Sequence, residues 1–187
     1  MKKRLPLVLV FIATLVALAI NNNQSFKSES APASDSKKLS YSWQVFDSTS
    51  WQLDKRTPQQ KQVYLQAKAV FYQNETKQSH FTQPYIIQQK PDSLVFVKSL
   101  EGDSQEDAIV HLKGHVRIDS YSPKTKENKT LKTEQITYNS QTELLKSDVF
   151  TELTGPDMQI SGIGFTADLK KDTYDFKSNV KTHYQPR

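Results

Sequence analysis

Residues 110–118 read Val110-His111-Leu112-Lys113-Gly114-His115-Val116-Arg117-Ile118, with apolar side chains at 110, 112, 116 and 118 and polar ones between them. A period of two means that alternate side chains face opposite sides of an extended strand, one side buried and one wet. The same period returns at Tyr41, Trp43 and Val45, at Val63, Leu65, Ala67, Ala69 and Phe71, and at Phe165, Ala167 and Leu169. Turn-forming clusters punctuate these runs at 54–58, 73–77, 90–93, 101–107, 122–128, 155–157 and 170–172. After Ile20 no segment carries an apolar stripe at helical spacing. The fold class is therefore all-β, a β-jelly roll or sandwich of many short antiparallel strands.

Part of that opening stretch is also a repeat. Lys146-Ser147-Asp148-Val149-Phe150-Thr151 returns as Lys177-Ser178-Asn179-Val180-Lys181-Thr182, and Leu112-Lys113-Gly114-His115-Val116 reads as an earlier copy. Each of the two later copies follows a turn with a Thr exit, 139–142 and 170–173. One hairpin is being reused, and such an array leaves unpaired backbone at its two ends. The last copy, from Lys177 to Tyr184, has no later copy to pair with. Val180, Thr182 and Tyr184, on its inward phase, are expected to form an open docking edge to which a partner strand can add. Gly162 and Gly164 mark a bulge or bend in a strand.

At the other end of the chain, Lys2, Lys3 and Arg4 precede an uncharged run from Leu5 to Ile20 that stops at three asparagines. Cations ahead of an apolar segment hold the N-terminus in the cytoplasm, so the chain behind it crosses the membrane. Ala17-Leu18-Ala19 resembles a cleavage site, which would release a secreted binding protein. The apolar run continues through Ile20 without the polar stretch that precedes cleavage, and this favours retention. Sixteen residues rise roughly 24 Å as a helix, short of a hydrocarbon core of about 30 Å, so a single transmembrane helix carrying Leu5, Phe11, Leu15 and Ile20 stands nearly upright. Residues 1–22 are read as cytoplasmic N-terminus and anchor, 23–39 as a polar linker and 40–187 as one periplasmic domain, large enough to bury a core.

Composition narrows the chemistry. The formal charge is +5 from 25 basic and 20 acidic residues; without Lys2, Lys3 and Arg4 it is 22 against 20, or +2, which argues against a nucleic-acid partner. The chain has no cysteine, which removes disulfides and thiolate chemistry. His111 and His115 are four apart, a helical zinc spacing, but the local period of two puts both on the solvated face of a strand. Acidic pairs such as Glu106-Asp107 and Asp172-Asp175 sit in predicted turns, and the lysines at 124, 126, 129 and 132 read as a solvated loop. No GxSxG elbow or glycine-rich phosphate loop occurs. Neither an enzyme nor a cofactor or metal site is expected.

The N-terminal anchor, Phe81-Thr82-Gln83-Pro84, Leu112-Lys113-Gly114-His115-Val116, Leu153-Thr154-Gly155 and Val180-Lys181-Thr182-His183-Tyr184 together resemble the LptC family, inner-membrane components of the lipopolysaccharide export bridge. The resemblance runs in order along nearly the whole chain and departs at residues 94–102, where Val95, Phe96 and Leu100 stand in place of the family's Trp and small residues. It implies a jelly roll with a greasy interior and no catalytic residues. Its implied partners are lipopolysaccharide, an inner-membrane ABC transporter (LptB, LptF, LptG) that delivers it, and the periplasmic LptA that receives it. Among the aromatics, Tyr41, Trp43, Phe81, Tyr174 and Tyr184 are the expected lipid-contacting residues, whereas Val116 and Val149, in mid-strand, are expected in plain core. The alternative is an anchored periplasmic β-domain acting as an assembly adaptor without lipid cargo.

Overall fold

The computed structural model describes residues 40–54, 61–90, 93–105, 108–139, 141–168, 171 and 173–184. These form eleven antiparallel strands: β1 (Ser42–Asp54), β2 (Lys61–Gln73), β3 (Gln78–Thr82), β4 (Tyr85–Lys90), β5 (Ser93–Lys98), β6 (Glu101–Gln105), β7 (Ile109–Ser122), β8 (Glu127–Asn139), β9 (Leu144–Thr154), β10 (Met158–Asp168) and β11 (Thr173–Tyr184). Among the described residues no helix is long and apolar enough to cross a membrane. The expected anchor, with Leu5, Phe11, Leu15 and Ile20, lies outside the described residues.

The pairing divides one sheet into two facing layers. β2 carries β1 along one flank, while its other flank pairs with β4 through residues 62–66 and with β3 through residues 69–73. β7 is shared in the same way, between β6 at residues 109–113 and β5 at residues 117–121. Because β3 pairs with β6 and β4 with β5, two separate routes join β2 to β7. We call the β3–β6 side the first layer and the β4–β5 side the second. From β7 to β11 the strands continue as a meander, and among the described residues β1 and β11 are the edges.

Each long strand of the meander serves both layers by bending where its register slips, near residues 114–115 of β7, 147–150 of β9 and 162–164 of β10, and at residues 178–180 of β11. These slips line up into a crease. The sequence repeat explains them: Lys113-Gly114-His115-Val116, Lys146-Ser147-Asp148-Val149 and Lys177-Ser178-Asn179-Val180 each sit at the slip in their own strand. A bulge needs backbone that most residues avoid, and here Gly114 and Gly164 take φ of 75°, His115 50° and Asn179 53°. The bend expected at Gly162 and Gly164 is present. At the crease Leu100 N–H donates to the carbonyls of Lys113 (3.1 Å) and Gly114 (2.9 Å). In β9 the repeat's hydroxyls fill the bend: Thr151 Oγ1 lies within hydrogen-bond distance of Thr133 Oγ1 (3.1 Å) and Ser147 Oγ (3.0 Å), and Thr133 Oγ1 lies 3.0 Å from the Phe150 carbonyl.

Buried side chains from both layers form one cluster, including Leu65, Ile86, Val97, Ile118 and Leu131 of the second layer and Phe81, Leu112, Ile136, Leu145 and Phe165 of the first. Directly paired residues share a face, so the register traces the core as rows. In the second layer Leu65, Ile86, Val97, Ile118, Leu131, Leu153 and Ile160 follow by successive pairs from β2 to β10.

Several expectations need correction. The strands are not mostly short: seven run 11 to 14 residues, because a bulge bends a strand without ending it. Most of the stretch 101–107 read as a turn is strand β6, held between β3 and β7. Phe71 does not share the inward face of Val63, Leu65 and Ala67; β2 changes phase at its crossing, Val70 turns inward at 8 % exposure and Phe71 is 40 % exposed. Val149, expected in the core, is half-buried at the β9 bulge. The lysines split: 124 and 126 lie in the turn, but 129 and 132 are on β8.

Candidate functional site

The interior between the layers runs from β1 to β11, and its burial changes along that length. In the middle it is filled by the protein's own side chains, with Val95 and Leu145 at 0 % exposure. At the two edges, side chains on the core-facing side are open to solvent. Trp43 and Val45 pair with Tyr72 and with buried Val70, so they face inward, yet they are 45 % and 44 % exposed. At the far edge Thr182 pairs with Ile160 and Tyr184 with Met158, which places both on the core-facing side, and Tyr184 is 64 % exposed; Val180, at the bulge, is 52 % exposed. Such an apolar interior, open at each end, can take up long apolar chains and extend into a neighbour of the same kind.

One row of the first layer runs between the two edge strands. Trp43, Tyr72, Ser79, Ser104, Val110, Tyr138, Leu145, Ala167 and Tyr174 follow by successive cross-strand pairs. The Trp43 and Tyr72 rings lie 5.4 Å apart, and Phe165 and Phe176 5.2 Å apart at the other end. Two interior polar groups have no hydrogen-bond partner: both side-chain atoms of Gln88, at 0 % exposure, and the Tyr138 hydroxyl, at 1 %. Burial pushes the Tyr138 phenol up to about 12, with the nearby Glu143 carboxylate adding to the shift. The hydroxyl therefore keeps its proton at any physiological pH.

The outer face carries several paired polar groups. Burial pushes the Asp119 carboxyl up, but the Arg117 guanidinium at 2.7 and 2.8 Å and the Thr130 hydroxyl at 2.7 Å outweigh it and leave the pKa below the usual carboxylate value. His115 bonds Glu134 through its backbone N–H and its ring, which lowers the Glu134 pKa. His111 meets the Thr137 hydroxyl at 2.8 Å and His80 meets Asp103 at 2.7 Å. A depression of about 270 Å³ over Phe71, His80, Asp103 and His111 is shallow. Among the described residues no group of three or more His, Asp or Glu could hold a metal ion.

The family model described as lipopolysaccharide-assembly, LptC-related matches residues 7–185. The chain belongs to the LptC family. No curated protein matches it in sequence. In structure it is similar to the crystal structure of LptH from Pseudomonas aeruginosa, described as the LptA-homologous periplasmic component of the conserved lipopolysaccharide transport device. The two share 8 % identity with a TM-score of 0.54 over 66 % of this chain and 95 % of that one, a likeness that carries the fold. Membership of the LptC family and the LptA-like fold support a role in the lipopolysaccharide transport bridge.

Within that frame the expected contact residues divide. Trp43 and Tyr184 occupy the two open ends, and Tyr41, 54 % exposed, precedes β1 with its carbonyl bonded by the Asn74 N–H at 3.0 Å. Tyr174 is half-buried against the core at the end of the row begun by Trp43. Phe81 is elsewhere: it pairs with Val70 and Gly102, is 6 % exposed and belongs to the closed middle. Gln88 and Tyr138 went unnoticed in the sequence, where Val45 reads only as part of a strand's alternation. The apolar neighbours of Gln88, Val63 and Val95, lie on other strands, so no local signal pointed to its burial.

Proposed function

We propose that this protein is a membrane-tethered periplasmic relay for lipopolysaccharide, accepting it from an inner-membrane ABC transporter and passing it to periplasmic LptA. The observation that carries this reading is the exposure of core-facing Trp43, Val45 and Tyr184 at opposite ends of one apolar interior. A multi-chain lipid exposes apolar surface worth about 25 cal/mol per Å² in water, and an apolar path between membranes lowers the cost of that exposure. The anchor at 5–20 holds the domain at the membrane where the transporter, LptB, LptF and LptG, delivers cargo. Edge β11 docks the next protein of the bridge, whose strand lengthens the same interior.

Photo-crosslinking in living cells tests this. A photoreactive residue at Trp43 or Tyr184 gives a lipopolysaccharide adduct, while one at Phe46 or Phe150, on other faces of their strands, gives none. Equal adducts at all four positions, or none, would overturn the relay. The second reading, an anchored assembly adaptor without lipid cargo, draws on the filled middle of the interior. It expects no adduct at either end with partner binding intact.

A further inference from the structure

The unpartnered groups in the interior are chemically odd. Gln88 pairs across its strands with Val63 and Val95, and Tyr138 with Val110 and Leu145, so each polar tip is set among apolar neighbours. A buried amide or hydroxyl left without a partner is destabilising, and native structures retain few of them. The two stand on opposite layers at matching depth: Gln88 is three residues into β4 from its crease end, and Tyr138 four residues beyond the β8 crossing at Glu134. They are three inter-strand steps apart along the interior, roughly 14 Å. The pair marks two polar points on the path between Trp43 and Tyr184.

We propose that Gln88 and Tyr138 bind the polar linkages of acyl chains, so that the interior selects amphiphiles carrying an amide or ester group within their apolar part over plain hydrocarbon chains. The proposal rests on the lipid-relay reading and adds a chemical preference to it. A Gln side chain offers both donors and an acceptor, so it can donate to the C=O of an amide or ester or accept from the N–H of a secondary amide. The Tyr138 hydroxyl, which keeps its proton, donates to an amide or ester carbonyl. A bound chain then supplies the partners that the closed interior lacks. These groups give up stability in the closed state and recover it on binding.

The test uses the full chain in mild detergent with two fluorescent amphiphiles of equal chain length and headgroup, one joined by an amide and one by an ether. Wild type is expected to prefer the amide probe by about fivefold, one net hydrogen bond. Gln88→Leu and Tyr138→Phe are each expected to erode that preference, leave ether binding unchanged and raise the melting temperature of the unliganded protein. If a buried water satisfies these groups instead, both variants melt lower and keep the preference, which overturns the proposal. Binding of both probes without preference in wild type overturns it while leaving the relay intact. Failure of both probes to bind overturns the relay reading and this one together.

Discussion

At the residue scale, burial separates side chains that looked alike in the sequence. Phe81 and Trp43 both read as lipid-facing aromatics near strand ends, but Phe81 is 6 % exposed and Trp43 45 %. Phe81→Asp is therefore expected to lose at least about 3 kcal/mol of stability, as an unpaired charge in a filled core does. Trp43→Asp is expected to cost little stability and to weaken lipid binding; urea denaturation and probe binding on the two variants check this. Tyr138 allows a prediction in pH. Its phenol, raised to about 12 when folded, ionises near 10 in the unfolded chain. Its contribution is thus fully present below pH 10 and declines as pH rises toward 12. Absorbance titration should find a late-ionising component that disappears in Tyr138→Phe, together with that part of the alkaline stability loss. The inward phase of Val110, Leu112, Val116 and Ile118 was legible from their spacing alone. That of Phe71 was not, because its strand changes phase where it crosses between layers.

At the element scale, the bulges and the edges carry the argument. A Cβ at Gly114 would come within 2.8 Å of the Leu100 side chain, at a backbone φ of 75°. Gly114→Ala is expected to cost about 1–3 kcal/mol, read as a lower denaturation midpoint. β1 places no residue in the buried cluster, which begins at Val63, and both tryptophans of the chain, Trp43 and Trp51, lie on it. Tryptophan fluorescence should therefore report loss of this edge at lower denaturant than far-UV circular dichroism reports loss of the sheet; coincident curves would make β1 part of the cooperative core. At the other edge, truncation after Ser178 removes Val180, Thr182 and Tyr184. It is expected to abolish capture of LptA in a pull-down and to leave association with the transporter intact. Undiminished capture would put the docking edge elsewhere. The repeat made β11 recognisable as the last strand of an array, and the structure gives that repeat its physical meaning as a recurring bulge.

At the scale of the whole molecule, one cluster of buried side chains drawn from both layers holds a folded sheet together, and its ends are open because, among the described residues, the edge strands have a neighbour on one side only. The tether completes the proposal: the mature chain is expected to retain residues 5–20, and N-terminal sequencing that began at Ile20 would replace an anchored relay with a secreted one. The β class, the inward phase of most strands, the turns within 73–77, 122–128 and 155–157 and the family were legible in the sequence alone, because alternation, turn chemistry and short motifs are local properties of neighbouring residues. Only the tertiary structure decided which strands span both layers, that Phe81 lies in the closed middle, and that Gln88 and Tyr138 are buried without partners. Those outcomes depend on pairs such as Gln88 with Val63, or His80 with Asp103, whose members are far apart along the chain. Cross-strand register sets them, and no local pattern encodes it.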